Sequence, residues 1–196
     1  MGTPTRTRIL QEAAKLFTEK GYEATSVQDI AQALALSKAA LYHHFRSKEE
    51  ILYAISLLAL EGLVAAGEKA LNVEDPKEAL CRFMEAHARY FAENRPFFVA
   101  MLQGIQSLSP EHRAETVRLR DRHEANLRAI LKRGMAAGVF REVDVALAGR
   151  AVLSMLNWMI RWFRPEGPMR AEEVARGYCG LILRGLANGD PGAQGA

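Results

Sequence analysis

The hydrogen-bond donors come in one run. From Lys38 to Lys48 the sequence places Lys38, Arg46 and Lys48 beside His43 and His44, adds the hydroxyls of Tyr42 and Ser47, and contains no Asp or Glu. Cations and polar rings without a neighbouring carboxylate suit a polyanion, because each can donate to a phosphate oxygen and none is neutralised along the chain. The wider charge distribution agrees. The first 48 residues hold seven Lys and Arg against four Asp and Glu, the remainder balances at nineteen of each, and the net charge of +3 therefore arises at one end.

The elements that must hold this run are helices. Apolar residues recur at three-and-four spacing almost throughout, as in Ile9, Ala13, Leu16, Phe17 and again in Leu127, Ile130, Leu131, whereas period-two runs of β-branched residues are missing. The fold class expected is all-α, with about nine helices near 4–20, 27–34, 38–44, 48–71, 76–93, 96–106, 110–137, 144–164 and 171–186. Several starts are marked by capping residues: Ser26-x-x-Asp29, Ser47-x-x-Glu50 and Asp75-Pro76-x-Glu78 each set a short acceptor ahead of a carboxylate. Three short helices followed by long amphipathic ones divide the chain into a head over 1–48 and a helical bundle over 49–187. The Gly/Pro/Ala-rich stretch 188–196 is expected to be a flexible tail.

Between Ser26 and Phe45 lie a capped short helix, a three-residue turn and a second short helix. That is the spacing of a helix-turn-helix, whose second helix enters the DNA major groove. The strings Thr25-Ser26-Val27-Gln28-Asp29-Ile30-Ala31, Leu36-Ser37-Lys38-Ala39-Ala40-Leu41-Tyr42-His43-His44-Phe45 and Ser47-Lys48-Glu49-Glu50 resemble the N-terminal signature of the TetR family of bacterial repressors. With Leu16-Phe17-x-x-x-Gly21-Tyr22 the resemblance covers about 45 positions; beyond them the chain agrees only in being a helical bundle of the right length. It implies DNA-facing positions at Thr25, Ser26, Gln28, Ser37, Lys38, Ala39, Tyr42, His43 and Lys48. The chemistry of these residues fits. Ser37 can cap the recognition helix, Lys38 can donate to guanine, the Ala39 methyl can touch thymine, and Tyr42, His43 and Lys48 suit phosphate. Leu41 and Phe45, four apart, should form the seam that holds this helix onto Ile30, Ala31 and Phe17. Where the family often has Gly, this chain has Ala35 and Ala39, and an alanine at a positive-φ turn costs about 1 kcal/mol.

The same resemblance implies that the bundle dimerises and binds an effector, so that the partners are double-stranded DNA with a palindromic operator, a second copy of the chain and a small molecule. The last two helices support pairing by their apolar surplus: Val152, Leu153, Leu156 and Met159 on one, Val174, Tyr178, Leu181, Ile182 and Leu186 on the other. An effector cavity is expected from Phe91, Phe97, Phe98, Met101, Leu102 and Ile105 together with Met155, Asn157, Trp158, Arg161 and Trp162. The plain alternative is an aromatic core. The string Asn157-Trp158-Met159-Ile160-Arg161-Trp162-Phe163-Arg164-Pro165-Glu166-Gly167 resembles a stretch of TetR-type regulators of fatty-acid and aromatic-acid degradation that respond to acyl-CoA thioesters. Arg122, Arg161 and Arg164, with Arg118 and Arg120, are the cations available for its phosphates, and a solvated face paired with Glu115, Asp121 and Glu124 is the alternative for the cluster on the seventh helix.

No phosphate loop, nucleophile elbow or metal-protease helix occurs, so an enzyme is not expected. No metal and no resident cofactor are expected either: His87, His112 and His123 have no companions at ligand spacing. Cys81 and Cys179 form no framework and are read as two packed thiols in a reducing interior. No signal core appears in 1–8, and the apolar stretch 54–66 contains Glu61 and is too short for a bilayer, so no membrane partner is expected and the cytoplasm is the expected location. Two alternatives stay open: a drug-like lipophilic effector, for which Glu85, Glu93 and Glu124 are the acids available to a cation, and a helical interaction module without a DNA role.

Overall fold

A computed structural model describes residues 5–186. Among them lie nine α-helices: α1 (Thr5–Lys20), α2 (Val27–Ala33), α3 (Lys38–Tyr42), α4 (Lys48–Glu68), α5 (Pro76–Glu93), α6 (Arg95–Gly104), α7 (Pro110–Ala136), α8 (Val145–Trp162) and α9 (Ala171–Leu186). Short 3₁₀ turns follow α4 at Lys69–Asn72 and α6 at Ile105–Ser107. The all-α expectation and its nine segments hold among the described residues, with ends displaced by at most three residues. The proposed tail lies outside the described residues.

Caps explain most of the starts. The Ser47 hydroxyl accepts from Glu50 N–H at 3.0 Å, and the Glu50 carboxylate reaches back to Arg46 N–H at 2.6 Å. Asp75 receives Glu78 N–H at 3.2 Å, Ser109 receives His112 N–H at 3.2 Å, and Asp144 receives both Ala146 and Leu147 N–H. In each case a side-chain oxygen replaces a carbonyl the first turn lacks. At the other end of α1, Gly21 takes φ 90° and its N–H closes on Phe17 O at 3.0 Å, a left-handed stop that glycine adopts without strain.

The chain folds as two compact units, and the cut differs from a division at 48. One unit runs to Gly62 and takes in Asn94–Leu119; the other comprises Leu63–Glu93 and the residues from Arg120 onward. In the first, Phe17, Ile30, Ala31, Leu41, Phe45, Ile51, Leu52 and Ile55 form one buried core that also contains Ala100 and Leu108. Thus α6 packs with the head. The start of α7 is tied to the start of α4 in the same unit: Glu49 accepts from Ser109 N–H at 3.0 Å and meets His112 Nδ1 at 2.7 Å, while the His112 ring stacks 3.7 Å from that of Tyr53. By length and composition Lys48–Asn72 could cross a membrane. Its residues Ile51, Leu52, Ile55, Ala59, Leu60, Leu63 and Val64 are buried within the protein instead.

In the second unit α5 packs chiefly on α9. Here an expectation fails: Cys81 on α5 and Cys179 on α9 are joined as a disulfide, with Cα atoms 5.4 Å apart across a sequence separation of 98, and no cysteine is free. Nothing in local spacing reveals such a pair, because the approach is set by helix packing. Two of the histidines meet by a hydrogen bond rather than at a metal. His87 Nδ1 and His123 Nε2 lie 3.0 Å apart, buried beside Phe83. Burial holds His87 well below the usual histidine range, helped by His123, and holds His123 down at about 4. Both rings are therefore neutral at pH 7, one donating to the other. Gly67 of α4 allows this close packing, since a Cβ there would stand 2.7 Å from Phe83 Cε2 and 3.0 Å from His123 Cε1. No group of three or more metal-ligating side chains occurs among the described residues.

Candidate functional site

The recognition unit is built from two caps and a turn. Ser26 Oγ accepts Asp29 N–H at 3.1 Å while the Asp29 carboxylate accepts Ser26 N–H at 2.7 Å, a reciprocal box that fixes the start of α2. Hydrogen bonds from the Ser26 hydroxyl and backbone hold the Asp29 carboxyl below its ordinary range. After α2 the chain reverses through Ala35, whose φ of 53° lies in the left-handed region, and Leu36 N–H returns to Ala31 O at 2.9 Å. Ser37 then caps α3 by accepting Ala40 N–H at 3.1 Å. The strain at Ala35 is local and is outweighed by the two buried anchors that follow, Leu41 and Phe45, both essentially inaccessible in the core with Ile30, Ala31 and Phe17.

Burying Leu41 turns the rest of α3 outward. Lys38, Ala39, Tyr42 and His43 are exposed, as are Gln28, Ser26 and Ser37. Lys38 Nζ lies 5.9 Å from the centre of the Tyr42 ring, so cation and phenol share one face. A donor-rich, acid-free surface on a short, rigidly seated helix can hydrogen-bond phosphate and base edges together. Two of the residues implied by resemblance are placed otherwise. Thr25 is buried, and its hydroxyl donates to Gly21 O at 2.8 Å, so it closes the α1–α2 turn and has no side chain to offer DNA. Lys48 is half-buried; its ammonium donates to Tyr22 O at 2.9 Å and sits 4.2 Å from the centre of the Tyr22 ring. It therefore braces the head from within, a second N–H reaching Glu23 O at 3.5 Å and one left over. Tyr22 itself is driven inward against Phe17, and burial, with Glu23 and Glu49 nearby, pushes its phenol up to about 12.

The residues nominated for an effector cavity are divided between the two units. Phe97 and Ile105 pack against the head core, Phe98 and Met101 are buried in the same unit, and Leu102 is half-exposed at its surface. In the other unit Phe91 is buried, Met155 is half-buried, and Asn157, Trp158, Arg161 and Trp162 face outward on α8. Arg122 is paired with Glu68 at 2.6 Å and Arg118 with Glu115, so these two α7 cations lie on a solvated, paired face, whereas Arg120 is exposed without an ion pair among the described residues. Helical periodicity shows which side of a helix is apolar but not which neighbour covers it.

What the structure does show is a cleft of about 200 Å³ lined by Trp162, Phe163, Arg164, Gly167, Pro168, Met169 and Val174. Trp162 and Arg164 are the residues expected at an effector site that line it. Beside it, Arg161 stands 6.0 Å over the Trp158 ring, and neither Arg161 nor Arg164 has an ion pair among the described residues. By contrast Glu85 is bound to Arg176 at 3.0 Å and Glu124 to Arg128. The charge that lines the cleft is positive.

A capped helix-turn-helix head on a helical bundle defines a DNA-binding transcriptional regulator. The chain belongs to the TetR family: residues 9–55 match the model of bacterial regulatory proteins of the tetR family, and residues 73–186 match a tetracyclin repressor-like C-terminal domain. Members of this family are regulators, and the chain is not an enzyme. Among curated relatives, the HTH-type transcriptional repressor KstR2 of Mycolicibacterium smegmatis is 30% identical over 184 residues, 92% of this chain and 90% of that protein. Among solved structures, the TetR family transcriptional regulator PfmR from Thermus thermophilus superposes with a TM-score of 0.89 at 84% identity, covering 92% of this chain and all of that one. AibR in complex with isovaleryl coenzyme A and operator DNA superposes with a TM-score of 0.82 at 28% identity, over 91% of this chain and 97% of that chain.

Proposed function

We propose that the chain is a homodimeric repressor that grips a palindromic operator through α2 and α3 in the cytoplasm and is released by an acyl-CoA thioester. The observation that carries the DNA half is the common exposed face of Lys38 and Tyr42, with Gln28, Ser37, Ala39 and His43 around it. Lys38 and Gln28 are assigned to bases; Tyr42 and His43, with the remaining N–H of Lys48, to phosphate.

Pairing of two chains is supported by α8 and α9. Leu147, Trp158 and Leu181 are exposed on them, and at Gly177 and Gly185, one turn either side of Leu181, an added Cβ would meet nothing within 4 Å. A smooth, apolar helix face of that kind lets a second backbone approach closely. For the effector, the unpaired Arg161 and Arg164 beside an apolar cleft favour an anionic ligand with an apolar end, and the paired Glu85 and Glu124 argue against a lipophilic cation. The cleft is smaller than the ~300–1,000 Å³ of a whole-ligand site, so it suits the acyl end, with the phosphates left to the arginines. AibR, in complex with isovaleryl coenzyme A and operator DNA, supports the same class. Release follows by linkage, the effector binding better to a form whose two heads are wrongly spaced for DNA; α4, which serves both cores, is the proposed lever.

A mobility-shift titration on DNA from upstream of the protein's own gene, with and without acyl-CoA thioesters, tests both halves. Affinity left unchanged by every thioester overturns the effector assignment, and equal affinity for that DNA and random DNA overturns the operator assignment. Lys38→Ala should shift base preference across a panel of sites, while Lys48→Ala weakens all sites alike.

A further inference from the structure

From the placement of Cys81 and Cys179 we infer that their disulfide is a site of thiol–disulfide exchange through which a dithiol reductant controls the pairing surface of α9. The inference rests on the reading that α8 and α9 pair two chains. Cys179 is fully buried at the middle of the inner face of α9, among Val174, Ala175 and Leu186, whereas Cys81 is only half-buried at the edge of α5. Of the two residues, Cys81 is the one nearer solvent, and its sulfur is taken as the one attacked.

A thiolate of the reductant attacks Cys81 Sγ, forms a mixed disulfide with it and expels Cys179 as a thiolate, which takes up a proton. The reductant's second thiol then displaces Cys81, which is protonated in turn. The reductant leaves as an internal disulfide, and the protein has gained two electrons and two protons.

The consequence lies on the other side of the same helix. Gly177, Leu181 and Gly185 are exposed within two turns of Cys179, so the covalent tie that seats the inner face also positions the outer one. After reduction α9 is held to α5 by side-chain packing and by the ion pair of Arg176 with Glu85, 3.0 Å apart and exposed on the arginine side. An exposed pair of this kind holds little against solvent. The head has no part in this, because its core contains neither cysteine.

The full chain, purified without reductant, is compared before and after dithiothreitol, alongside a Cys81→Ala/Cys179→Ala variant. Three readouts are used: mass after alkylation, the monomer–dimer constant from sedimentation, and hydrogen exchange over 171–186. Expected are two newly alkylated thiols after reduction, a dimer weakened about tenfold and faster exchange in α9, with the variant already in that state and indifferent to reductant. Alkylation of both cysteines before any reductant is added overturns the inference, as do a dimer constant and α9 exchange that reduction leaves unchanged. Should the variant not fold, the wild-type comparison decides alone. Should no dimer form under either condition, the pairing reading fails, and α9 exchange still decides whether the disulfide seats the helix.

Discussion

The head and the bundle use buried side chains in opposite ways. In the head, the core is built of plain hydrocarbons and aromatics, Leu41, Phe45, Ile30 and Phe17, and the polar side chains cap helices, face solvent or, like buried Thr25 and Ser56, donate to backbone carbonyls. In the second unit the interior itself contains chemistry: a disulfide, a neutral histidine pair and a glycine that lets three helices close on them. A DNA-reading surface needs a stiff support whose buried polar groups are all satisfied. A surface that answers to small molecules gains from an interior whose packing can be altered by a chemical event.

That contrast can be broken by mutation, most strongly in the head. Leu41→Ala should cost about 2–5 kcal/mol, because a fully buried leucine leaves both lost contacts and a cavity. DNA binding should vanish on every sequence while the tryptophan signal of the second unit stays native. Loss of that signal as well would show that the two cores are not independent.

Acid should act on the other region. The histidine pair is neutral in the fold but protonates when unfolded below about pH 6.5, so stability is intact above that value and falls as pH drops towards about 4, where His123 itself titrates. The slope should approach 1.4 kcal/mol per pH unit for each ring, roughly. Urea unfolding at descending pH, followed by Trp158 and Trp162, both in that unit, would measure it; a slope unchanged in His87→Gln/His123→Gln would assign the acid loss elsewhere.

Gly67→Ala pits two effects against each other. Alanine returns about 1 kcal/mol of helix propensity, whereas the new Cβ would stand 2.7 Å from a buried Phe83 ring. Overpacking of that kind costs about 1–3 kcal/mol, so a net loss of about 1–2 kcal/mol is expected in thermal melts. The smallest effect is a gain. Ala35→Gly relieves the positive φ and should raise stability by about 0.5–1 kcal/mol with DNA preference unchanged.

The same division explains how much could be read from the residues. Ser26, Asp29, Ser37, Leu41 and Phe45 lie within twenty positions of one another, so caps, turn and seam are visible as a string. Helix ends were legible for the same reason: Asp75, Ser109 and Asp144 announce them locally. Thr25 and Lys48 show the limit even there, since a hydroxyl and an ammonium fit either a phosphate or a carbonyl, and only the packed chain shows that Gly21 and Tyr22 already take them. The disulfide, the histidine pair and the partners of α6 depend on segments tens of residues apart. Periodicity fixes an inner face but is silent about what meets it.

The core shared between α1 and α6 has a consequence for the order of synthesis. Residues up to Gly62 leave the ribosome with the complete DNA-reading string, yet Ala100 and Leu108, which close that core, are made much later. Until then the nascent chain carries an unfinished head followed by a helix apolar enough to be mistaken for a membrane span, a state that invites chaperones and proteases. A protein stopped short of Ala100 would lack the same closing residues and would meet the same fate, so a truncated chain would be cleared rather than left with a working DNA-reading head.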